Sequence, residues 1–123
     1  MSFDNDDWMN SKFEVLFLDE SREFLFGLDL KTRTKILYNI DKSKVLNDPK
    51  LFKKLNGEIW EFRTKYNGLQ YRLLAFWDKT DKVETVVVST HGFVKKVDKV
   101  SPTEINKAEQ LRRLYFDQKK KGK

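Results

Sequence analysis

Cysteine is absent from this 123-residue chain and histidine occurs once. The first absence excludes disulfides, thiolate metal sites and a cysteine nucleophile. The second argues against a zinc site of the usual kind. No apolar run approaches the roughly 18–20 residues that a membrane-spanning helix needs. The opening MSFDNDDW is acidic, unlike the basic-then-apolar pattern of a secretory leader. These absences lead us to expect a soluble cytoplasmic protein. The length allows one domain with a modest core. Hydrophobic residues make up 39% of the chain and aromatics 14%, enough to fold it despite 36% charged residues.

Lysine and arginine outnumber aspartate and glutamate by 25 to 19, giving a formal charge of +6. That excess favours a polyanionic partner. The charge is uneven: Asp4, Asp6 and Asp7 make an acidic N-terminal extension (residues 1–11), and KKKGK makes a basic tail within 118–123. The intervening residues 12–117 are expected to form the domain. A lysine run of this kind is ordinarily a solvated tail, and it also adds salt-sensitive attraction to RNA phosphates.

The hydrophobic pattern predicts a strand at 12–18, with Phe13, Val15 and Phe17 on one side and Leu16 and Leu18 on the other. Apolar spacing of three and four then predicts two helices broken near Gly27–Asp29. The Asn47-Asp48-Pro49 stretch ends the helical region, because the residue before proline is pushed out of the α region. Three strands follow, at 58–64, 70–77 and 83–90, the first two joined through Asn67-Gly68, a dipeptide suited to a tight hairpin. Ser101, Pro102 and Glu104 mark the start of a last helix as N-cap, first helical residue and capping-box glutamate. The expected architecture is α+β in the order β-α-α-β-β-β-α, with helices packed on a mainly antiparallel sheet.

Arginines inside these strands are the informative feature. Arg63 shares a strand face with Glu61, and QYR brings Arg72 into the neighbouring strand. The third strand leads to His91, Lys95 and Lys96. A guanidinium on a strand needs an anion or water. One reading is an internal ion pair, Arg63–Glu61 or Arg72–Glu61. The other is a phosphate-binding depression formed by Arg63, Arg72, Lys95 and Lys96, with Lys54, Trp60 and Tyr71 nearby for RNA contact and base stacking. His91 read alone fits a structural histidine at a strand end, and Gly92 fits a sharp turn there. On the depression reading, Arg72→Ala would leave the fold intact.

In order, KKLNGEIWEFR, YRLLAF, THGFVKK and SPTEINKAEQLRRLYF resemble the HigB branch of the RelE/ParE toxin superfamily across roughly residues 12–117. The resemblance implies the fold just described and a role as the toxin of a type II toxin–antitoxin pair. It also implies an endoribonuclease that cuts mRNA on the translating ribosome and is held inactive by a cognate helix-turn-helix antitoxin. Arg72 matches the most widely shared catalytic arginine. Arg63 falls where relatives carry a basic residue, and Lys95 and Lys96 match the basic pair after the last strand. Glu61 departs from RelE, which has a lysine there, although the WE.R pattern is usual for the branch.

The implied chemistry is attack of the 2′-OH on the adjacent phosphorus. Arg72 and Arg63 would stabilise the phosphorane, and His91, Glu61 or a lysine would move protons. No metal or cofactor is expected, since the chain lacks the carboxylate cluster of a two-metal nuclease. Two other readings share the sequence: a ParE-like inhibitor of DNA gyrase, and a non-catalytic RNA-binding domain.

Overall fold

A computed structural model of the protein describes residues 11–122. Five strands and three helices follow one another as β1 (Glu14–Phe17), α1 (Asp19–Phe26), α2 (Leu30–Val45), β2 (Phe52–Asn56), β3 (Ile59–Tyr66), β4 (Leu69–Asp78), β5 (Val86–Lys95) and α3 (Pro102–Lys121). They build one mixed sheet in the order β1-β5-β4-β3-β2. Only β1 runs parallel to its neighbour, β5; the remaining pairs are antiparallel. The fold is therefore α+β, with one strand more than the sequence reading expects. That strand is β2. It pairs with β3 through a turn at Gly57, whose φ of 57° lies in the left-handed region open to glycine.

The hairpin between β3 and β4 turns at Asn67 and Gly68, with φ of 53° and 80°, as the Asn-Gly signal predicts. The break between α1 and α2 also falls where expected. Asp29 caps α2 by accepting from the Thr32 amide. Acidic residues 1–10 lie outside the described residues. The lysine run is the last turn of α3, which continues to Lys121.

Strand alternation divides the apolar residues into two cores. Phe13, Phe52, Phe62, Leu73 and Val87 face α1 and α2 on one side of the sheet, together with Leu25, Ile36 and Ile40. Phe52 stacks on Phe62 at 4.3 Å, and Trp60 meets Trp77 edge-on at 5.5 Å. Each such pair adds about 0.5–1.5 kcal/mol beyond its buried area. The opposite side holds Ile59, Leu74, Phe76 and Val88 under Ala108 of α3. The cover is partial: Ala108 is the only fully buried residue along α3. The half of this side toward the β3–β4 hairpin is left open.

Strand β5 is longer than expected. It passes through His91 and Gly92 to Lys95, with a bulge opposite Leu74 and Ala75. Gly92 therefore makes no turn. A Cβ at this position would overlap the ring of Phe24 on α1, so glycine is required for helix–sheet contact. The bulge matters too, because it sets His91, Phe93 and Lys95 on the partly open side.

Candidate nucleic-acid interface

In-register strand partners share a face, so the ladder identifies the open half-side. Beyond the buried row Glu61, Leu74 and His91, two rows cross it: Arg63, Arg72 and Phe93; then Lys65, Gln70 and Lys95. Arg63 and Arg72 are directly opposite each other. Like charges in that position are destabilising unless something offsets them.

Glu61 offsets part of the repulsion. Its Oε1 lies 2.8 Å from Arg72 Nε, and the two side chains are 4% and 2% exposed. The Arg72 guanidinium also donates to the Tyr71 carbonyl at 3.1 Å and to Gln70 Oε1 at 2.8 Å. Burial lowers the Arg72 pKa, Glu61 opposes that shift, and the Arg63 charge adds to it. The internal ion pair considered from sequence thus exists for Arg72, and it seals Arg72 more deeply than a solvent-facing arginine. Arg63 donates to the Pro49 carbonyl at 3.3 Å. Its Nε is buried and has no hydrogen-bond partner among the described residues. An unsatisfied buried donor costs about 1–3 kcal/mol.

Arg63, Arg72, Lys50, Lys65 and Gln70 line a depression of about 280 Å3. Lys95 is partly buried and sits beside Gln70 in the ladder, whereas exposed Lys96 lies past the strand end. These two lysines line a second hollow of about 140 Å3, between β5 and the start of α3. A larger hollow of about 480 Å3 lies against α2, lined by Leu30, Lys35, Tyr38 and Tyr66 among others. It has no arginine pair, so the basic depression is the better candidate.

His91 is 3% exposed. Its Nε2 lies 3.1 Å from Glu104 Oε1 and its Nδ1 lies 3.0 Å from Thr90 Oγ1. The neutral tautomer that donates to Glu104 and accepts from Thr90 satisfies both contacts. Burial holds the His91 pKa below its ordinary value, against the opposing pull of Glu104. The ring thus orients Glu104 and does not face the depression. Trp60 and Tyr71 occupy the other side of the sheet: Tyr71 is 5% exposed within the first core, and Trp60 packs on Phe52 and Trp77. Lys54 pairs with Trp60 and follows it to that side, whereas Lys53, opposite Glu61, lies on the arginine side. The structure therefore brings Arg63, Arg72 and Lys95 to one surface and separates Lys54, Trp60 and Tyr71 from it.

Residues 23–113 match the family described as Phage derived protein Gp49-like (DUF891). The chain belongs to that family. Gp49-like proteins form part of the RelE/ParE-like toxin superfamily of type II toxin–antitoxin systems. No curated protein matches the chain. The Gp49-like match covers both arginines, Lys95, Lys96 and Glu104. Lys50, Lys65, Gln70 and Phe93 also belong to this surface, although sequence reasoning did not nominate them. Period-two alternation from Arg63 and Arg72 would have found Lys65 and Gln70; Phe93 required the β5 bulge. Among the described residues, no group of three or more histidine and carboxylate side chains is placed to hold a metal. No helix among them is long and apolar enough to cross a membrane.

Proposed function

We propose that this Gp49-like chain is the toxin of a type II toxin–antitoxin pair, of the HigB type, that cleaves mRNA on the translating ribosome. The observation that carries this reading is the in-register Arg63–Arg72 pair, in which only Arg72 is paired with a buried carboxylate, Glu61, and which lies among Lys50, Lys65 and Lys95. Such a cluster keeps an excess of positive charge, beyond the one Glu61 carboxylate, that a phosphate would offset. Its charge would be better used by a phosphorane than by a ground-state diester, because the phosphorane carries more negative charge.

The reaction is attack of a ribose 2′-oxygen on the adjacent phosphorus, with expulsion of the 5′-oxygen and formation of a 2′,3′-cyclic phosphate. Proton transfer is the weaker half of this machinery. Glu61 is sealed and His91 is enclosed, leaving lysines that are poor bases. Catalysis would then depend on electrostatics and on an imposed in-line geometry, which the ribosome would supply. A helix-turn-helix antitoxin with an acidic segment would neutralise the same surface.

The decisive experiment maps mRNA 5′ ends after induction and characterises the upstream termini. The expected products are discrete cuts within coding frames, ending in cyclic or 3′-phosphate. A 2′-deoxy sugar at the cut site should abolish cleavage, and EDTA should not, under conditions that leave ribosomes intact. Cuts ending in a 3′-hydroxyl would overturn the mechanism; no cuts, with gyrase inhibited instead, would overturn the reading.

Lys95 and Lys96 should serve binding. Replacing both with glutamine should reduce the slope of log affinity against log salt by about 1.4 for single-stranded RNA, corresponding to two phosphate contacts. An unchanged slope would make them ordinary surface charge.

A further inference from the structure

The second hollow has a composition that phosphate binding does not require. Its lining includes Phe93, Lys95, Val100, Ser101 and Glu104. Phe93 is opposite Arg72 on β4, one strand spacing away, or about 4.8 Å. That places an aromatic side chain on the strand next to Arg72, on the same side of the sheet. The other aromatic residue facing this side from β3–β5, Phe76, is 0% exposed under α3. Phe93 remains partly exposed, and its ring centroid lies 5.9 Å from that of His91.

Glu104 is the single carboxylate in this hollow, among Lys95, Lys96 and Lys99. As the third residue of α3 it would ordinarily reach back to the helix cap. Instead its Oε1 is directed at buried His91, leaving the side chain 30% exposed. A carboxylate held by a ring inside a basic wall is a poor phosphate ligand but a good acceptor for base N–H groups.

We propose that this hollow is a nucleobase pocket in which Phe93 stacks the base next to the bound phosphate and Glu104 reads its Watson–Crick edge. A carboxylate selects an edge with two adjacent donors, so the pocket should prefer guanine, whose N1–H and N2–H2 can both be accepted. Uracil offers a single donor flanked by carbonyl oxygens that the carboxylate repels. His91 acts as a positioning residue by fixing Glu104. This assignment rests on the proposed RNA reading and adds its base specificity.

The test is binding of four pentanucleotides, UUGUU, UUAUU, UUCUU and UUUUU, each with a 2′-deoxy central sugar to block cleavage. Wild-type protein should bind UUGUU roughly tenfold more tightly than UUUUU, the size of one good base contact. Phe93→Leu should weaken all four by roughly tenfold, and Phe93→Trp should restore them, as expected for stacking. Glu104→Gln should remove the guanine preference, weakening UUGUU while UUUUU holds or tightens as the repulsion of its carbonyl oxygens is relieved. Thermal unfolding of each variant checks that the fold is retained. Equal or undetectable binding of all four oligonucleotides would overturn the proposal. So would a Phe93→Leu protein with wild-type affinities, or a Glu104→Gln protein weakened equally for all four. Cleavage mapping separates the two levels: cuts without this base preference sink the pocket alone. Guanine-selective binding without cuts sinks the nuclease reading alone.

Discussion

Arg72→Ala should cost the protein about 3–5 kcal/mol, because it leaves Glu61 as an uncompensated charge at 4% exposure. A small domain has only about 5–15 kcal/mol in total, so the variant is expected to be insoluble or partly unfolded. Loss of toxicity in that protein would say nothing about catalysis. The informative protein is the double variant Glu61→Leu with Arg72→Met, which replaces a buried ion pair with apolar groups of similar volume. Such replacements are often neutral or stabilising by about 1–4 kcal/mol. The double variant should therefore unfold in urea at or above the wild-type midpoint. Yet its cleavage should fall by about two orders of magnitude or more, the scale of losing one transition-state donor at about 3 kcal/mol. A stable double variant that remains fully toxic would reduce Arg72 to a structural residue and leave Arg63 and the lysines to carry the chemistry.

The burial behind this prediction shows where sequence reasoning reaches its limit. Alternation correctly places Glu61 and Arg63 on one strand face, and the hairpin signal at Asn67-Gly68 sets the register that puts Arg72 opposite Arg63. What alternation does not reveal is depth. Whether a strand-borne arginine faces water depends on Gln70 and the Tyr71 carbonyl closing over it, and these are contacts of the folded sheet. The buried pair with Glu61 is the reason to expect a structural cost from Arg72→Ala.

Trp60 and Tyr71 lie on the side of the sheet away from the arginines for a different reason. Each is adjacent in sequence to a charged residue of the site, Glu61 and Arg72. Adjacency along a strand puts side chains on opposite sides of the sheet. Their aromatic surface belongs to the core beneath α1 and α2. The same parity, applied from Arg72 across to β5, leads to Phe93, but only through a bulge that shifts the register by one residue. Strand β2 was legible in principle. Asn56-Gly57 is a second hairpin dipeptide, preceding EIW as Asn67-Gly68 precedes LQY, but the run Phe52–Asn56 is too short and too charged to announce a strand by periodicity. Glu104 reads from sequence as a helix-start residue, and its turn toward His91 is a tertiary fact.

The nucleobase pocket and the upper sheet are both roofed by α3, so the attachment of this helix controls how much of the surface exists. Its N-terminal half is held by Ile105, Ala108 and the Glu104–His91 contact; its C-terminal half is held at Asp78 and by Tyr115 and Phe116 against Phe76. That carboxylate is 2% exposed and accepts from Tyr115 and Lys119, each at 2.6 Å, and from the Thr80 hydroxyl and amide. Burial pushes its pKa up, but the donors, Lys119 and Tyr115 foremost, outweigh burial and hold it well below the usual carboxylate range. In the unfolded chain an aspartate ionises near 3.8. The stabilisation is therefore complete above that value and is lost as pH falls from there through the depressed folded value.

Asp78→Asn should reproduce the loss at neutral pH. Hydrogen bonds to a buried charge contribute about 1.5–3 kcal/mol each, so weakening those from Tyr115 and Thr80 should cost about 3 kcal/mol. The loss should be local, because the strands beneath are held by their own ladders. Amide protection factors in residues 111–121 should fall at pH 7 in the variant, and in the wild type below about pH 4, while β3, β4 and β5 keep their protection. Binding of UUGUU should persist in the variant, since Phe93 and Glu104 lie at the other end of the helix. A uniform fall in protection across sheet and helix would mean that Asp78 supports the whole domain. Unchanged protection in α3 would mean that its apolar contacts alone hold it down.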